Sequence, residues 1–253
     1  MKIFGIGMNY RQHADELCSL APAPQQAPSP SQPSLSQPSP SQPSLSQPQC
    51  PSRQRRSPQP PQQADGTTPE PVVFLKADSA LLKDGKPFFI PDWAGRVDYE
   101  AELVVRISRL GKGIPLRFAH RYYDAVTVGI DFTARQLQQQ ARQQGLPWTI
   151  CKGFDGSAMT GRWQTVTPQP VAEGMGWEGT FRLDLNGTTV QQGDARDMLF
   201  SIDYLISYLS RFFTLKTGDL IFTGTPVGVG PVSIGDHLQG YLAGQRVLDF
   251  YCR

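Results

Sequence analysis

Glu100 and Glu102 stand one residue apart inside the apolar run Val97-Asp98-Tyr99-Glu100-Ala101-Glu102-Leu103-Val104-Val105-Arg106-Ile107. The run reads as a β-strand, in which alternate side chains share a face, so both carboxylates point the same way. Like charges side by side on a half-buried surface are costly unless something positive lies between them. A third acid, Asp131, ends a second apolar run, Ala125-Val126-Thr127-Val128-Gly129-Ile130. If the two strands are neighbours, three carboxylates converge. Three hard oxygen ligands, with room left for water and a substrate, suit Mg²⁺ or Mn²⁺ rather than zinc. The competing reading is a solvated strand face, with Tyr99 and Ala101 turned to the core ahead of Leu103 and Val105.

Other groups offer chemistry by type and spacing. His13 and Glu16 lie three apart and share a face if helical; a carboxylate-oriented histidine is a general base, and the alternative is a surface pair near a helix start. Lys152, in Cys151-Lys152-Gly153-Phe154-Asp155, is either a group that approaches an anionic substrate beside a glycine or an exposed lysine. Phe222-Thr223-Gly224-Thr225-Pro226-Val227-Gly228-Val229-Gly230-Pro231 follows an apolar strand ending at Ile221. Its glycines let backbone N–H groups approach a ligand, or simply make a turn. The phosphate-loop order G-x-x-x-x-G-K-[S/T] is absent, and no G-x-G-x-x-G follows a strand.

The elements that must position these groups follow from periodicity. Residues 2–7 read as a short strand, Tyr10 to Leu20 as a short helix and Val72-Val73-Phe74-Leu75 as a buried strand. Pro115 opens a helix at its first turn, and Thr133 to Gln144 reads as a polar helix stopped by Gly145 and Pro147. Phe181 to Leu185 alternates and meets Asn186-Gly187, a hairpin signal. Asp197 to Phe213 carries Met198, Leu199, Ile202, Leu205, Ile206, Leu209 and Phe213 on one helical stripe, which is core. Short strands and Gly-rich turns fill the remainder. Without a regular strand–helix alternation, the pattern favours an α+β, β-rich fold over a doubly wound sheet.

Residues 21–70 hold 14 of the 23 prolines, and Ser-Pro-Ser-Gln-Pro-Ser-Leu-Ser-Gln-Pro occurs in tandem at 29–38 and 39–48. With almost nothing apolar to bury, this tract reads as a disordered insertion. It divides the chain into 1–20, the tract, and 71–253. The tract also contains R-x-x-P-x-x-P at Arg55 to Pro61, a polyproline-type ligand pattern, which keeps a partner-binding role as an alternative. The formal net charge of +2 gives no sign of an electrostatic nucleic-acid binder; Arg53, Arg55 and Arg56 are the tight basic cluster. Cys18, Cys50, Cys151 and Cys252 are scattered, as expected of ordinary thiols in a reducing cytoplasm. No apolar run is long enough for a membrane span, and the first residues turn polar too soon for a signal peptide.

Together the motifs resemble the fumarylacetoacetate hydrolase family, in particular its small single-domain branch of acylpyruvases and oxaloacetate-processing enzymes. The likeness rests on Gly7-Met8-Asn9-Tyr10-Arg11-Gln12-His13-Ala14-Asp15-Glu16, Val73-Phe74-Leu75-Lys76, Asp98-Tyr99-Glu100-Ala101-Glu102-Leu103, Gly129-Ile130-Asp131-Phe132-Thr133-Ala134-Arg135, Gly145-Leu146-Pro147-Trp148 with Lys152, and Thr223-Gly224-Thr225-Pro226 with Gly228-Val229-Gly230-Pro231. These segments keep the family order and span essentially all of the chain outside the tract.

The resemblance implies a mixed β-roll, commonly a homodimer, with Glu100, Glu102 and Asp131 as ligands of Mg²⁺ or Mn²⁺. It implies that Lys152 meets the carboxylate or enolate of a small 2-oxo acid, that Arg135, Gln138 and Thr225 line the substrate pocket, and that His13 and Glu16 ride on a lid segment as a proton-moving pair. The expected reaction is C–C hydrolysis of an acylpyruvate-type substrate, with oxaloacetate decarboxylation or keto–enol tautomerisation as alternatives on the same scaffold. Three positions depart from the family pattern: Gln136 replaces an acid after Thr-Ala-Arg, Ala77 replaces a proline after Phe-Leu-Lys, and the Pro-rich tract replaces a short connection after the lid segment.

Overall fold

The computed structural model describes residues 1–10, 70–83, 85–168 and 177–253. His13, Glu16, residues 11–20 of the helix expected from Tyr10 to Leu20, Cys18, Cys50 and residues 21–69 of the Pro-rich tract lie outside the described residues; Tyr10 itself forms an isolated antiparallel bridge with Met198 rather than a helical turn. In chain order the first strands are β1 (Ile3–Gly7), β2 (Val72–Lys76), β3 (Leu81–Lys83), β4 (Val97–Tyr99), β5 (Ala101–Ile107), β6 (Tyr123–Asp131) and β7 (Thr133–Ala134). Helices α1 (Arg135–Gln144) and α2 (Thr149–Gly153) follow, then β8 (Ala158–Thr160), β9 (Gln164–Thr165), β10 (Thr180–Leu185) and β11 (Thr188–Asp194). Helix α3 (Ile202–Phe212) precedes β12 (Leu220–Phe222), β13 (Gly230–Pro231), β14 (His237–Leu242) and β15 (Gln245–Tyr251).

Eight strands make one curled mixed sheet in the order β2-β1-β12-β5-β6-β8-β3, with β9 attached to β6. The β1/β12 and β3/β8 pairs are parallel and the others antiparallel. An antiparallel sheet β11-β10-β14-β15 and a small sheet β13-β4-β7 complete the β-rich α+β architecture expected from the sequence.

Alternation along β5 sends Leu103, Val105 and Ile107 into the main core, where they meet Val126, Val128 and Ile130 of β6 and the apolar face of α3. Glu102, Val104 and Arg106 take the other face. There Val104 joins a smaller apolar cluster with Ile3, Ala80, Ala158, Leu220 and Phe222. The Asn186-Gly187 turn closes the β10/β11 hairpin with both residues at positive φ (51° and 81°), the geometry that favours Asn-Gly.

Several boundaries differ from the periodic pattern, each for a local reason. The single strand expected over 97–107 is two strands broken at Glu100, because β4 pairs with β7 and β13 whereas β5 pairs with β6 and β12. The helix expected from Thr133 starts at Arg135, since Thr133 and Ala134 pair with Asp98 and Val97. The segment after Pro115 is a 3₁₀ helix, Leu116–Tyr122, with Pro115 flanking it. The helix expected over 197–213 begins at Ile202. Its upstream backbone is claimed by Asn9, whose Oδ1 accepts from Phe200 N and whose carbonyl accepts from Leu199 N, and Ser201 then caps α3 through Tyr204 N. Cys151 and Cys252 are free buried thiols, and burial pushes that of Cys252 up to about 12.

Candidate metal centre

Glu100 sits at the β4/β5 break, Glu102 is the second residue of β5 and Asp131 is the last of β6. The β5/β6 register, Ala101 opposite Ile130 and Glu102 opposite Gly129, brings the ends of these strands together. One carboxylate oxygen from each acid lies within 4.8 Å of the others, and all three residues are buried. A solvated strand face is therefore not what this sequence builds.

Buried cations answer these acids. Lys152, on α2, is 2 % exposed rather than a surface lysine. Its Nζ donates to Glu100 Oε2 (2.7 Å), Asp131 Oδ2 (2.9 Å) and Thr133 Oγ1 (2.6 Å). Burial opposes its charge, but the fields of Asp131 and Glu100 outweigh burial and hold its pKa above the ordinary value. Lys76, at the end of β2, was not assigned a site role from the sequence. Its Nζ stands 2.6 Å from Asp131 Oδ1 and also donates to the carbonyls of Lys152 and Ser157 and to Ser157 Oγ. Burial pushes its pKa down, against the pull of Asp131. The available signal was a buried-type strand, Val72 to Leu75, that runs straight into a lysine.

Arg135 is folded into a brace. Its Nε donates to Asp98 Oδ2 (2.8 Å), Nη1 to Gln138 Oε1 (2.6 Å) and Nη2 to Glu100 Oε1 (2.6 Å). Arg96 grips Asp98 from the other side, Nε to Oδ1 at 2.6 Å. Burial works against the Arg135 charge, yet Glu100 and Asp98 raise its pKa. Asp98 is therefore the counter-charge of Arg135, which in turn holds Glu100.

The glycine-rich loop after β12 serves the acids too. Gly224 N–H donates to Glu102 Oε2 at 2.7 Å. Gly224 sits at φ +99°, and a Cβ there would lie 2.7 Å from that of Asn9, so only glycine fits. Thr225 Oγ1 donates to Ala101 O (2.7 Å) and accepts from Gln191 Nε2 (2.8 Å), while Gln191 Oε1 accepts from Ala101 N (2.8 Å). Gln191 thus anchors the break in the strand.

The acids open on a cleft of about 20 Å³, room for an ion or a water, walled by Gly7, Phe74, Gln138, Trp148, Lys152 and Thr225. Arg135 is not part of that wall. Phe74 and Trp148 pack with ring centroids 5.8 Å apart, and Lys152 Nζ lies 5.3 Å from the Phe74 centroid.

The donor set fits a divalent cation. Asp131 Oδ1 is buried and has Lys76 Nζ, at 2.6 Å, as its charged neighbour. Glu102 has no ion-pair partner among the described residues, and burial together with the charges of Asp131 and Glu100 pushes its carboxyl well up. All candidate ligand atoms are carboxylate oxygens, the hard donors that Mg²⁺ and Mn²⁺ take.

The sequence model described as fumarylacetoacetate (FAA) hydrolase C-terminal matches residues 2–248. The chain belongs to the fumarylacetoacetate hydrolase family. Among curated relatives, the mitochondrial oxaloacetate tautomerase FAHD1 of Mus musculus is 37 % identical over 177 residues, 69 % of this chain and 77 % of that protein. The human protein of the same name is 36 % identical, over 72 % of this chain and 80 % of its own. Among solved structures, fumarylpyruvate hydrolase from Pseudomonas aeruginosa, in complex with Mn²⁺ and pyruvate, superposes with a TM-score of 0.72 at 28 % identity, covering 100 % of this chain and 89 % of that one. Family relatives thus carry the names of hydrolases, tautomerases and isomerases. No helix among the described residues is long and apolar enough to cross a membrane.

Proposed function

We propose that the chain is a divalent-metal-dependent enzyme that interconverts the keto and enol forms of a small 2-oxo acid, with oxaloacetate as the model substrate. The observation that carries this reading is the convergence of three buried carboxylates, with one oxygen of each within 4.8 Å of the others, of which Glu102 has no ion-pair partner among the described residues. Lys152 and Lys76 contact Glu100 and Asp131, and Arg135 and Arg96 share Asp98. Glu100, Glu102 and Asp131 would hold a Mg²⁺ or Mn²⁺ ion, whose charge the carboxylate of a 2-oxo acid would match. When bound, the cation supplies Lewis acidity toward the substrate's oxygen pair.

The chain's own residues supply the rest. Lys152 Nζ, beside Glu100 and Asp131, places a fixed positive charge where charge grows on the 2-oxo oxygen during enolisation. The Arg135–Asp98 brace holds Glu100 to one orientation. Phe74 and Trp148 keep water from the reacting carbon, and Gln138 in the wall meets the polar end of the substrate. Identity of 36–37 % to proteins named oxaloacetate tautomerase favours this reaction over others of the family.

C–C hydrolysis of an acylpyruvate-type substrate is the second reading. It is favoured by the likeness to a fumarylpyruvate hydrolase and by the His13/Glu16 spacing, which would supply a water-activating base. On either reading the family likeness leads us to expect a homodimer.

The test is to follow purified protein on enol-oxaloacetate and on acetylpyruvate, before and after EDTA and after Mg²⁺ or Mn²⁺ is restored. Ketonisation that falls with EDTA and returns with metal supports the proposal; activity untouched by chelation contradicts it. His13→Ala should slow acetylpyruvate hydrolysis more than oxaloacetate tautomerisation, and equal losses would remove the water-activating role.

A further inference from the structure

The cleft beside the acids owes its shape to β1. Gly5 and Gly7 share one face of that strand. A Cβ at Gly5 would overlap the Phe74 ring, and one at Gly7 would touch the Trp148 ring at 3.5 Å. The two rings lie across these glycines and wall the cleft. At Met8 the strand breaks. Its φ is 58°, and of the three non-glycine residues at positive φ among the described residues it alone stands outside a hairpin turn; Asn186 turns β10 into β11 and Ala243 turns β14 into β15. Glycine adopts this backbone freely, whereas methionine is strained there. Both neighbours impose the bend. Gly7 is paired with Val72. The Asn9 side chain donates to Phe200 O (3.0 Å) and Thr223 O (2.7 Å) and accepts from Phe200 N (2.7 Å). Strain held from both sides, in the wall of a site, points to a use for the side chain.

Beyond the charged groups, the cleft is lined by Ile6, Met8, Phe74 and Trp148. Ile6 is 1 % exposed and belongs to the core, and Phe74 and Trp148 pack ring against ring at 5.8 Å. Met8 is half-buried, and its side chain is unbranched with three rotatable bonds, so it is the adjustable member of the set. The space as it stands, about 20 Å³, takes an ion or a water but no carbon chain. A 2-oxo acid bound through its carboxylate and oxo oxygens therefore needs a side chain to yield, and the one that yields lies against the substrate beyond carbon 3.

We propose that Met8 is the specificity-determining residue of the cleft: it moves aside for the part of a 2-oxo acid beyond carbon 3 and selects a short unbranched alkyl chain there over a second carboxylate. The assignment rests on the enolisation reading above. A thioether and two aromatic rings favour a methylene chain, by about fourfold in affinity per buried methylene. A carboxylate in the same place would lose its water among apolar groups, close to three like charges.

Enolisation is read by NMR as exchange of the carbon-3 protons in D₂O with Mg²⁺ present, for pyruvate, 2-oxobutanoate, 2-oxopentanoate and oxaloacetate, each relative to its exchange without protein. Wild type should gain at least tenfold in kcat/KM from pyruvate to 2-oxopentanoate, chiefly through KM. Met8→Ala should cut that gain to below about threefold, and Met8→Leu should keep it. Met8→Lys should raise the ratio of oxaloacetate to 2-oxopentanoate at least tenfold. Met8→Gly, which suits the backbone, should flatten the series with the melting midpoint retained. Each ratio compares substrates on one preparation, so partial unfolding of a variant does not move it. A flat series in wild type, a slope unchanged in Met8→Ala, an unchanged oxaloacetate ratio in Met8→Lys, or a steep fall of the Met8→Gly midpoint would each overturn the assignment while metal-dependent exchange still stood. Exchange that EDTA leaves untouched, or no exchange of any substrate, would instead remove the enolisation reading and the assignment with it.

Discussion

Asp98→Asn tests the brace behind Glu100 with nearly no change of shape. Asp98 is 1 % exposed and accepts from Arg135 Nε at 2.8 Å and from Arg96 Nε at 2.6 Å. The asparagine keeps one acceptor but turns an NH₂ toward a guanidinium. Loss of a charge-assisted bond to the buried Arg135 costs about 1.5–3 kcal/mol. The half-exposed Arg96 adds about 0–1 kcal/mol. With about 2–4 °C of melting shift per kcal/mol at this chain length, the midpoint should fall by about 3–16 °C. Arg135 then has only Glu100 as a charged partner in the brace, at 2.6 Å, and competes with any cation for that carboxylate. Divalent-metal affinity should therefore drop by about 10–100-fold, the usual cost of losing a group that orients a ligand. Thermal melts and Mn²⁺ titrations of wild type and variant read both effects. A variant with wild-type midpoint and wild-type Mn²⁺ affinity would refute the brace.

Asp203, 2 % exposed at the start of α3, is pushed up by burial to about 7 from 3.8, so the folded state holds a proton that the unfolded chain releases near pH 4. Stability should be full below about pH 4 and decline as pH rises to about 7, by about 4 kcal/mol; urea midpoints of Asp203→Asn should equal wild type at pH 4 and exceed it at pH 8, and parallel profiles would be the contrary result. Lys152→Met removes the ammonium between Glu100 and Asp131; metal-free stability should fall by about 3–5 kcal/mol and turnover by about 10²–10³-fold, as read by urea titration and initial rates with Mg²⁺ present. Gly224→Ala places a Cβ against Asn9 at φ +99° and moves the N–H that serves Glu102; strain of about 1–3 kcal/mol should accompany weaker Mn²⁺ binding, whereas a wild-type melt would show that the loop adapts.

The acidic trio was legible from strand alternation and from the resemblance of its motifs to the family; that the two apolar runs are neighbours stood as a condition in the sequence and is met by the β5/β6 pairing. The break at Glu100 was not. It arises because Tyr99 and Ala101 pair into different sheets, through Gly230 and Ile130, and those partners lie far along the chain. Lys152 looks like a surface lysine by its neighbours, since a five-residue helix carries too few positions to show an apolar face; the residues that bury it, Phe74 and Thr133, come from β2 and β7. Asp98 and Lys76 carry no local signal of their place in the site for the same reason, since Arg135 and Asp131, the partners that bring them there, lie 37 and 55 positions away. The start of α3 was misplaced because the apolar stripe continues through Met198 and Leu199, whose backbone is instead bound by Tyr10 and Asn9. Periodicity records which side chains are buried, not which long-range hydrogen bond claims the main chain.

Mn²⁺ titration of the metal-stripped chain, followed by electron paramagnetic resonance of the free ion, addresses the carboxylate cluster itself. Tight uptake of a single Mn²⁺ that Mg²⁺ competes away and Glu102→Ala abolishes is the predicted result. No saturable uptake, or uptake that survives Glu102→Ala unchanged, would contradict the account.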